Sequence, residues 1–153
     1  MNDAAPTRLA TILTRHRIVV RFGDCDLLGH VNNAKYLTYI ESARIDLWRA
    51  QLGFLRSHVI DEHGKRGHGF ILARAEVDFR AQSRYGDTLE VRLGLGAIGR
   101  SSLTYDYDVV RLGPGSDETL VATAKTVQVW FDYDENRSLP IGDDLKAKLS
   151  IPI

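Results

Sequence analysis

Only one stretch of this chain repeats with the period of a helix, and almost everything after it repeats with the period of a strand. Tyr36, Ile40, Ala43, Leu47 and Ala50 recur at alternating steps of four and three, which places them on one apolar stripe. Asn32 or Asn33 is a natural N-cap and Gly53 a natural stop. Glu41 and Arg44, three apart, are placed to pair on the helix surface. Beyond the helix, Ile71, Ala73, Ala75, Val77 and Phe79 alternate with Arg74, Glu76, Asp78 and Arg80. Leu89, Val91, Leu93, Leu95 and Ala97 form a second alternating run, and Leu103, Tyr105, Tyr107 and Val109 a third. A long fourth run extends from about Thr119 to Phe131, and short Gly-containing turns separate the four. Ile18, Val20 and Phe22 make one more strand before the helix, and a short helix around Asp143 to Leu149 ends the chain.

The order strand, helix, four strands predicts an α+β fold. One helix must bury its stripe and one antiparallel sheet of about five strands must cover a face, so the sheet wraps around the helix. Such a sheet has two open edges. Pairing an edge with a second copy would cover it, which argues for a homodimer or homotetramer.

The chain has 153 residues, enough for one domain with a real core. Residues 1–153 read as a single domain, with residues 1–12 poorly tied and 54–69 an irregular connector. Hydrophobic residues at 44% and charged residues at 26% exclude a disordered chain. Twenty basic residues balance twenty acidic ones, so the excess that nucleic-acid binding needs is missing. Cys25 is the single cysteine, which rules out an internal disulfide or a multi-cysteine metal site. No apolar run is long enough for a signal peptide or a membrane span, and the expected location is cytoplasmic.

Between the first strand and the helix lies Gly23-Asp24-Cys25-Asp26-Leu27-Leu28-Gly29-His30-Val31-Asn32-Asn33, and the helix continues with Tyr36, Tyr39, Glu41, Ala43 and Arg44. A loop D-x-D-x-x-G-H-V-N-N followed by Y-x-x-Y-x-E-x-A-R on a helix resembles the hotdog-fold family of 4-hydroxybenzoyl-CoA thioesterases and related acyl-CoA thioester hydrolases. Gly99-Arg100-Ser101-Ser102 and Ala122-Thr123-Ala124 are similar to that family too, and the resemblance spans roughly residues 14 to 140. It implies a hotdog fold and hydrolysis of an acyl-CoA without metal or cofactor. It also implies a thioester carbonyl held at the N-terminus of the helix, Asp26 as the reactive carboxylate, and the backbone N–H near Asn33 as the group that polarises the carbonyl. Other branches of the family carry the carboxylate on the helix, which keeps Glu41 in play.

The residues suit that chemistry. A thiolate with a pKa of about 8.5 is a tolerable leaving group. A helix N-terminus offers unpaired N–H groups to a developing oxyanion. Asp26 can attack the carbonyl or deprotonate a water. Asp24, two residues away, is expected to point away from Asp26 and brace the loop. His30 serves as an acid–base group or shapes the loop through a ring hydrogen bond; Asn32 and Tyr36 line the substrate site. For the CoA phosphates, Arg74, Arg80, Arg84, Arg100 and Lys125 are candidates, with Arg100 and Arg84 first because turns at sheet ends are accessible.

Two rivals share these residues. A hotdog hydratase or dehydratase would use Asp26 with His30, and a non-catalytic acyl-thioester binding protein would need neither. Three motif matches fail on context. Gly94-Leu95-Gly96-Ala97-Ile98-Gly99 lies between strands with no helix following. A calcium loop starting at Asp24 would need Glu where Lys35 stands. His58, His63 and His68 have no zinc spacing.

Overall fold

The computed structural model describes residues 7–53 and 63–153. β1 (Thr14–Val19) is followed by a 3-10 turn, Phe22–Asp24, and then by α1 (Asn33–Leu52). Four long strands come next: β2 (His68–Phe79), β3 (Thr88–Ile98), β4 (Ser102–Leu112) and β5 (Glu118–Asp132). The two-residue β6 (Arg137–Ser138) and α2 (Asp143–Leu149) close the chain. The strands lie in the order β1-β3-β4-β5-β2, all neighbours antiparallel, with β6 paired to the end of β5. The helix leaves from one edge strand, crosses the inner face, and the chain returns on the other edge. This is the hotdog arrangement.

The inner face is the one the alternation picks out. Leu89, Val91 and Leu93 on β3 lie beside Tyr107 and Val109 on β4, and all but close off from solvent. α1 fills the concave side with Ala43 and Leu47, both fully buried. At its start Tyr36 meets Phe79 edge-on with ring centres 5.4 Å apart; near its end Trp48 stacks on Phe70 at 5.3 Å. Asn32 is the N-cap, its side chain accepting from Ala34 N–H at 2.9 Å. Gly53, at φ 73°, ends the helix in the left-handed region and donates its N–H to Arg49 O.

The buried stripe is wider than the periodicity suggests and shifted toward β2. Tyr39, Arg44 and Trp48 are buried, whereas Ala50 is exposed. Arg44 is the larger surprise. It was expected on the surface with Glu41, yet it is only 5% exposed. Its guanidinium lies over the Trp48 ring at 5.3 Å, and Nη1 approaches Tyr107 Oη at 3.4 Å. Glu41 remains exposed, 3.9 Å away. The sheet curls far enough round α1 to cover positions that a flat sheet would leave wet, and a long stem with a flat cation can be buried against aromatic rings.

β2 begins at His68, three residues earlier than its alternation implies, and its register with β5 slips between Leu72 and Arg74. The bulge moves the inner set to Phe70 and Leu72, then Ala75, Val77 and Phe79; Ile71 and Ala73 leave it. β2 is also an edge strand, and Leu72 and Phe79 on its inner face stay about half exposed.

Residues 7–12 are anchored rather than loose. Thr7 Oγ1 and Arg8 N–H both donate to Asp108 Oδ2, at 3.1 and 3.2 Å, so this segment straps the outer face of the sheet. Gly94 lets it pass: a Cβ there would lie 2.8 Å from Thr11 O. At Gly96 a Cβ would lie 3.0 Å from Asp106 Oδ2. The glycines of the G-x-G-x-x-G string thus permit close packing in a hairpin. His58 lies outside the described residues. Among the described residues no cluster of His, Cys, Asp and Glu is arranged to hold a metal, and no helix is long and apolar enough to cross a membrane.

Gly94→Ala should displace the strap and cost about 1–3 kcal/mol, the usual range for overpacking. Gly23→Ala, at a position outside the left-handed region where a Cβ meets nothing within 4 Å, should stay within about 0.5 kcal/mol. Urea unfolding of both variants against wild type checks the contrast.

Candidate active site

The loop between the 3-10 turn and α1 is held by backbone bonds before any side chain acts. Gly29, at φ 79°, lets the chain reverse, with Gly29 N–H donating to Asp26 O and Asp26 N–H to His30 O. Val31 N–H donates to Ser83 O at 2.8 Å, which fastens the loop to the segment after β2. Asn32 N–H donates to Asp24 O at 2.8 Å, which brings the chain onto the helix.

Asp24 is the brace expected of it. Its Oδ2 accepts from Arg21 N–H at 3.0 Å and from the Tyr39 hydroxyl at 2.9 Å, and Lys35 Nζ lies 3.8 Å from Oδ1. Partial burial works to raise its carboxyl. The Arg21 N–H, the Tyr39 hydroxyl and the Lys35 charge outweigh it, so Asp24 is held below the usual carboxylate range. Tyr39 is pushed up in turn, by burial and by the carboxylate it donates to. Cys25 packs partly buried against the core between the two aspartates.

Asp26 turns the other way and is exposed. Its Oδ1 accepts from Leu28 N–H at 2.9 Å, which orients the carboxylate. It lines a groove of about 360 Å3 together with His30, Asn33, Tyr36, Phe79 and Arg80. One wall is the loop and first turn of α1; the other is the end of β2. Ala34 N–H is taken by the Asn32 side chain and Lys35 N–H by Asn32 O. Asn33 N–H has no acceptor among the described residues. His30 holds the loop with its backbone carbonyl rather than its ring, and the ring lines the groove. Tyr36 is buried to 2% exposure and forms the floor; burial raises its hydroxyl against the opposing pull of Ser83 and Arg111.

Asp26, His30, Asn33 and Tyr36 therefore come together; Asn32 sits beside them as cap. The two arginines ranked first do not join them within one chain. Arg84 is exposed on the 81–87 segment, one residue from Ser83 but outside the groove lining. Arg100 lies in the β3–β4 turn at the opposite end of the sheet, where its carbonyl accepts from Ile141 N–H at 2.7 Å. Arg80 is the cation in the groove. Its N–H donates to Val121 O at 2.8 Å, and its guanidinium is 3.8 Å from Asp78. Phe79 also lines the groove, and strand alternation marks such residues as core without showing which lie beside a loop.

The thioesterase-like superfamily model matches residues 20–149, which include the whole of this site and most of the sheet. The chain belongs to the thioesterase-like superfamily. A 1,4-dihydroxy-2-naphthoyl-CoA hydrolase from Synechococcus elongatus is 31% identical to this thioesterase-like chain over 135 residues, covering 87% of it and 92% of the relative. A putative thioesterase from Pseudomonas aeruginosa superposes with a TM-score of 0.74 at 29% identity, covering 90% of this chain and 98% of that one. A 4-hydroxybenzoyl-CoA thioesterase mutant complexed with 4-hydroxybenzoyl-CoA superposes with a TM-score of 0.77 at 22% identity, over 90% and 98% of the two chains. At that identity the last likeness speaks for the fold alone.

The brace makes stability depend on pH. A carboxyl held low in the folded state contributes fully above its unfolded value near 3.8, and the contribution is lost as pH falls through the lower folded value. Asp24→Asn should therefore cost about 1–3 kcal/mol at neutral pH. The gap to wild type should narrow as the pH is taken below about 4, which urea unfolding at several pH values measures.

Proposed function

We propose that this protein hydrolyses an acyl-CoA thioester to the free acid and CoA, with Asp26 as the reactive carboxylate. The observation that carries this reading is the groove itself. It places an oriented, exposed carboxylate beside the open first turn of a 20-residue helix whose Asn33 N–H has no acceptor among the described residues. A thioester carbonyl oxygen directed at Asn33 N–H meets a donor and the positive end of the helix dipole, worth about 2.7–4 kcal/mol for a single well-placed donor. Asp26 then takes a proton from the attacking water or attacks the carbonyl itself to form a mixed anhydride. The thiolate leaves in either route, and in the second a water then hydrolyses the anhydride, releasing the acid and restoring the Asp26 carboxylate. The naphthoyl-CoA hydrolase named above, which is similar over nearly its whole length, supports CoA as the carrier.

The site reads best as one of two in a homodimer. β2 offers an open edge with half-exposed Leu72 and Phe79 beside it. Antiparallel pairing of two β2 strands about a two-fold axis sets the Phe79 end of one copy against the His68 end of the other. That brings the partner's Arg100 end of the sheet toward this protomer's Asp26 groove, so Arg100 serves the CoA phosphates from across the dimer and Arg84 from within the chain.

Asp26 and His30 in one groove also suit a hydratase, which moves a proton at carbon. Thiol release from a panel of acetyl- to palmitoyl-CoA and aryl-CoA esters separates the two. Turnover on at least one ester is expected, with Asp26→Asn slower by about a hundredfold or more; hydration of enoyl-CoA with no thiol release would overturn the reading. For the assembly, wild type should sediment as a dimer or larger and Leu72→Glu should shift toward monomer; a monomeric wild type at micromolar concentration would refute the shared site.

A further inference from the structure

Part of the Asp26 groove is walled by chain that belongs to no strand. Arg80, Ala81 and Gln82 line it just after the end of β2. At the start of this segment Arg80 N–H and Ala81 N–H both donate to Val121 O, at 2.8 and 3.2 Å. At its other end the turn 84–87 is tied to Val20: Val20 N–H donates to Asp87 O at 2.9 Å and Gly86 N–H to Val20 O at 3.1 Å. Between these anchors two successive carbonyls have no strand to pair with. Ser83 O accepts from Val31 N–H at 2.8 Å, the bond that joins the wall to the Asp26 loop. Gln82 O accepts from Arg111 Nη1 at 2.7 Å.

Arg111 is well placed to hold that carbonyl. It stands near the end of β4, an interior strand, in register with Leu89 on β3 and Thr119 on β5. Its guanidinium is 34% exposed and lies outside the groove lining. It is 3.8 Å from Asp87 Oδ2, an oxygen that also accepts from Arg84 N–H at 2.8 Å. A bond from a charged donor is stronger than one between neutral groups, so this contact is a firm hold on the middle of the wall. The next carbonyl along carries the hold to Val31. That residue sits between His30, whose carbonyl accepts from Asp26 N–H, and Asn32, which caps α1.

We infer that Arg111 is a positioning residue for the reaction: through Gln82 and Ser83 it fixes the Asp26–Asn33 side of the groove against the opposite wall, without touching the substrate. This rests on the hydrolase reading above. A misplacement of about 1 Å at a reacting centre costs about a hundredfold in rate, so a smaller slip of the wall is visible in kcat.

The test uses the fastest ester of the acyl-CoA panel and the same acyl group on N-acetylcysteamine, a thiol without phosphates. Arg111→Met keeps the stem and removes the donors. Its kcat should fall by about tenfold or more on both esters, with each KM within about threefold of wild type. Arg111→Lys keeps one charged donor and should fall between the two. In Arg111→Met the Val31 amide should exchange with solvent about tenfold faster or more by NMR. Arg15→Met removes another 2.7 Å donor, from Glu90 on the outer face, and leaves Glu90 its bonds to Arg17 and Arg92. It should change neither kcat nor Val31 exchange, which separates a positioned wall from general weakening. The inference is overturned by a kcat within about twofold of wild type in both folded Arg111 variants, or by unchanged Val31 exchange. A KM rise confined to the CoA ester also overturns it and makes Arg111 a phosphate contact. Each of these leaves the hydrolase reading standing, whereas a wild type that hydrolyses no ester overturns both.

Discussion

A single helix has to fill the hollow of an entire sheet, and the rest of the molecule is arranged around that demand. Burying a Leu or Val side chain is worth about 1.5–3 kcal/mol, and α1 presents its apolar stripe to the inner residues of β3, β4 and β5 at once. The helix is therefore fixed along its length by packing. Its two ends are then the places where backbone groups remain unsatisfied. The C-terminal end is closed by Gly53, and the N-terminal end is left open beside Asp26. The site is thus located at the end of the element that the core holds most firmly, which suits a donor that must not move as charge develops.

The two aspartates of the loop divide the work because the segment is not a plain strand: residues two apart in an extended run share a face, but Asp24 ends the 3-10 turn Phe22–Asp24 and Asp26 enters the reversal at Gly29. Asp24 is turned inward to Tyr39, Arg21 and Lys35, and its charge is consumed in holding the loop to the helix. Asp26 is turned outward with one oxygen on Leu28 N–H. A carboxylate with many donors is a poor nucleophile and a weak base; one with a single orienting donor keeps its reactivity. Under the proposed hydrolysis the same residue type would supply both a fastening and a reagent, with hydrogen-bond count separating the roles.

Much of this was legible in the chain. Period 3.6 gave the helix and period 2 the sheet, and the D-x-D-x-x-G-H-V-N-N loop pointed to Asp26 and Asn33 as members of one groove. The parts that were not legible share a cause. Periodicity shows which residues lie on a common face, and it is silent about what covers that face. Arg44 looks like a surface residue by type and spacing, and is buried because the sheet curls over it. Leu72 joins the inner face only through a bulge that no residue announces. Arg80 and Arg100 are both arginines at strand ends, and only the strand order tells that one lines the groove and the other sits at the far end of the sheet.

The strand order also sets when each part of the sheet can form. β3, β4 and β5 are joined by short turns and can pair as soon as they are made. β1 must find β3 across a separation of 75 residues, as in the Arg15–Glu90 contact, and β2 must find β5 across two intervening strands. Long closures are slow, so the two outer strands join last and α1 is covered last. The Asp26 groove, bounded by the loop after β1 and the end of β2, is therefore among the latest features to exist. Until it does, β2 offers an apolar strand to any other chain, and correct pairing with β5 competes with aggregation. The surface that carries the candidate site is in that sense the last product of folding.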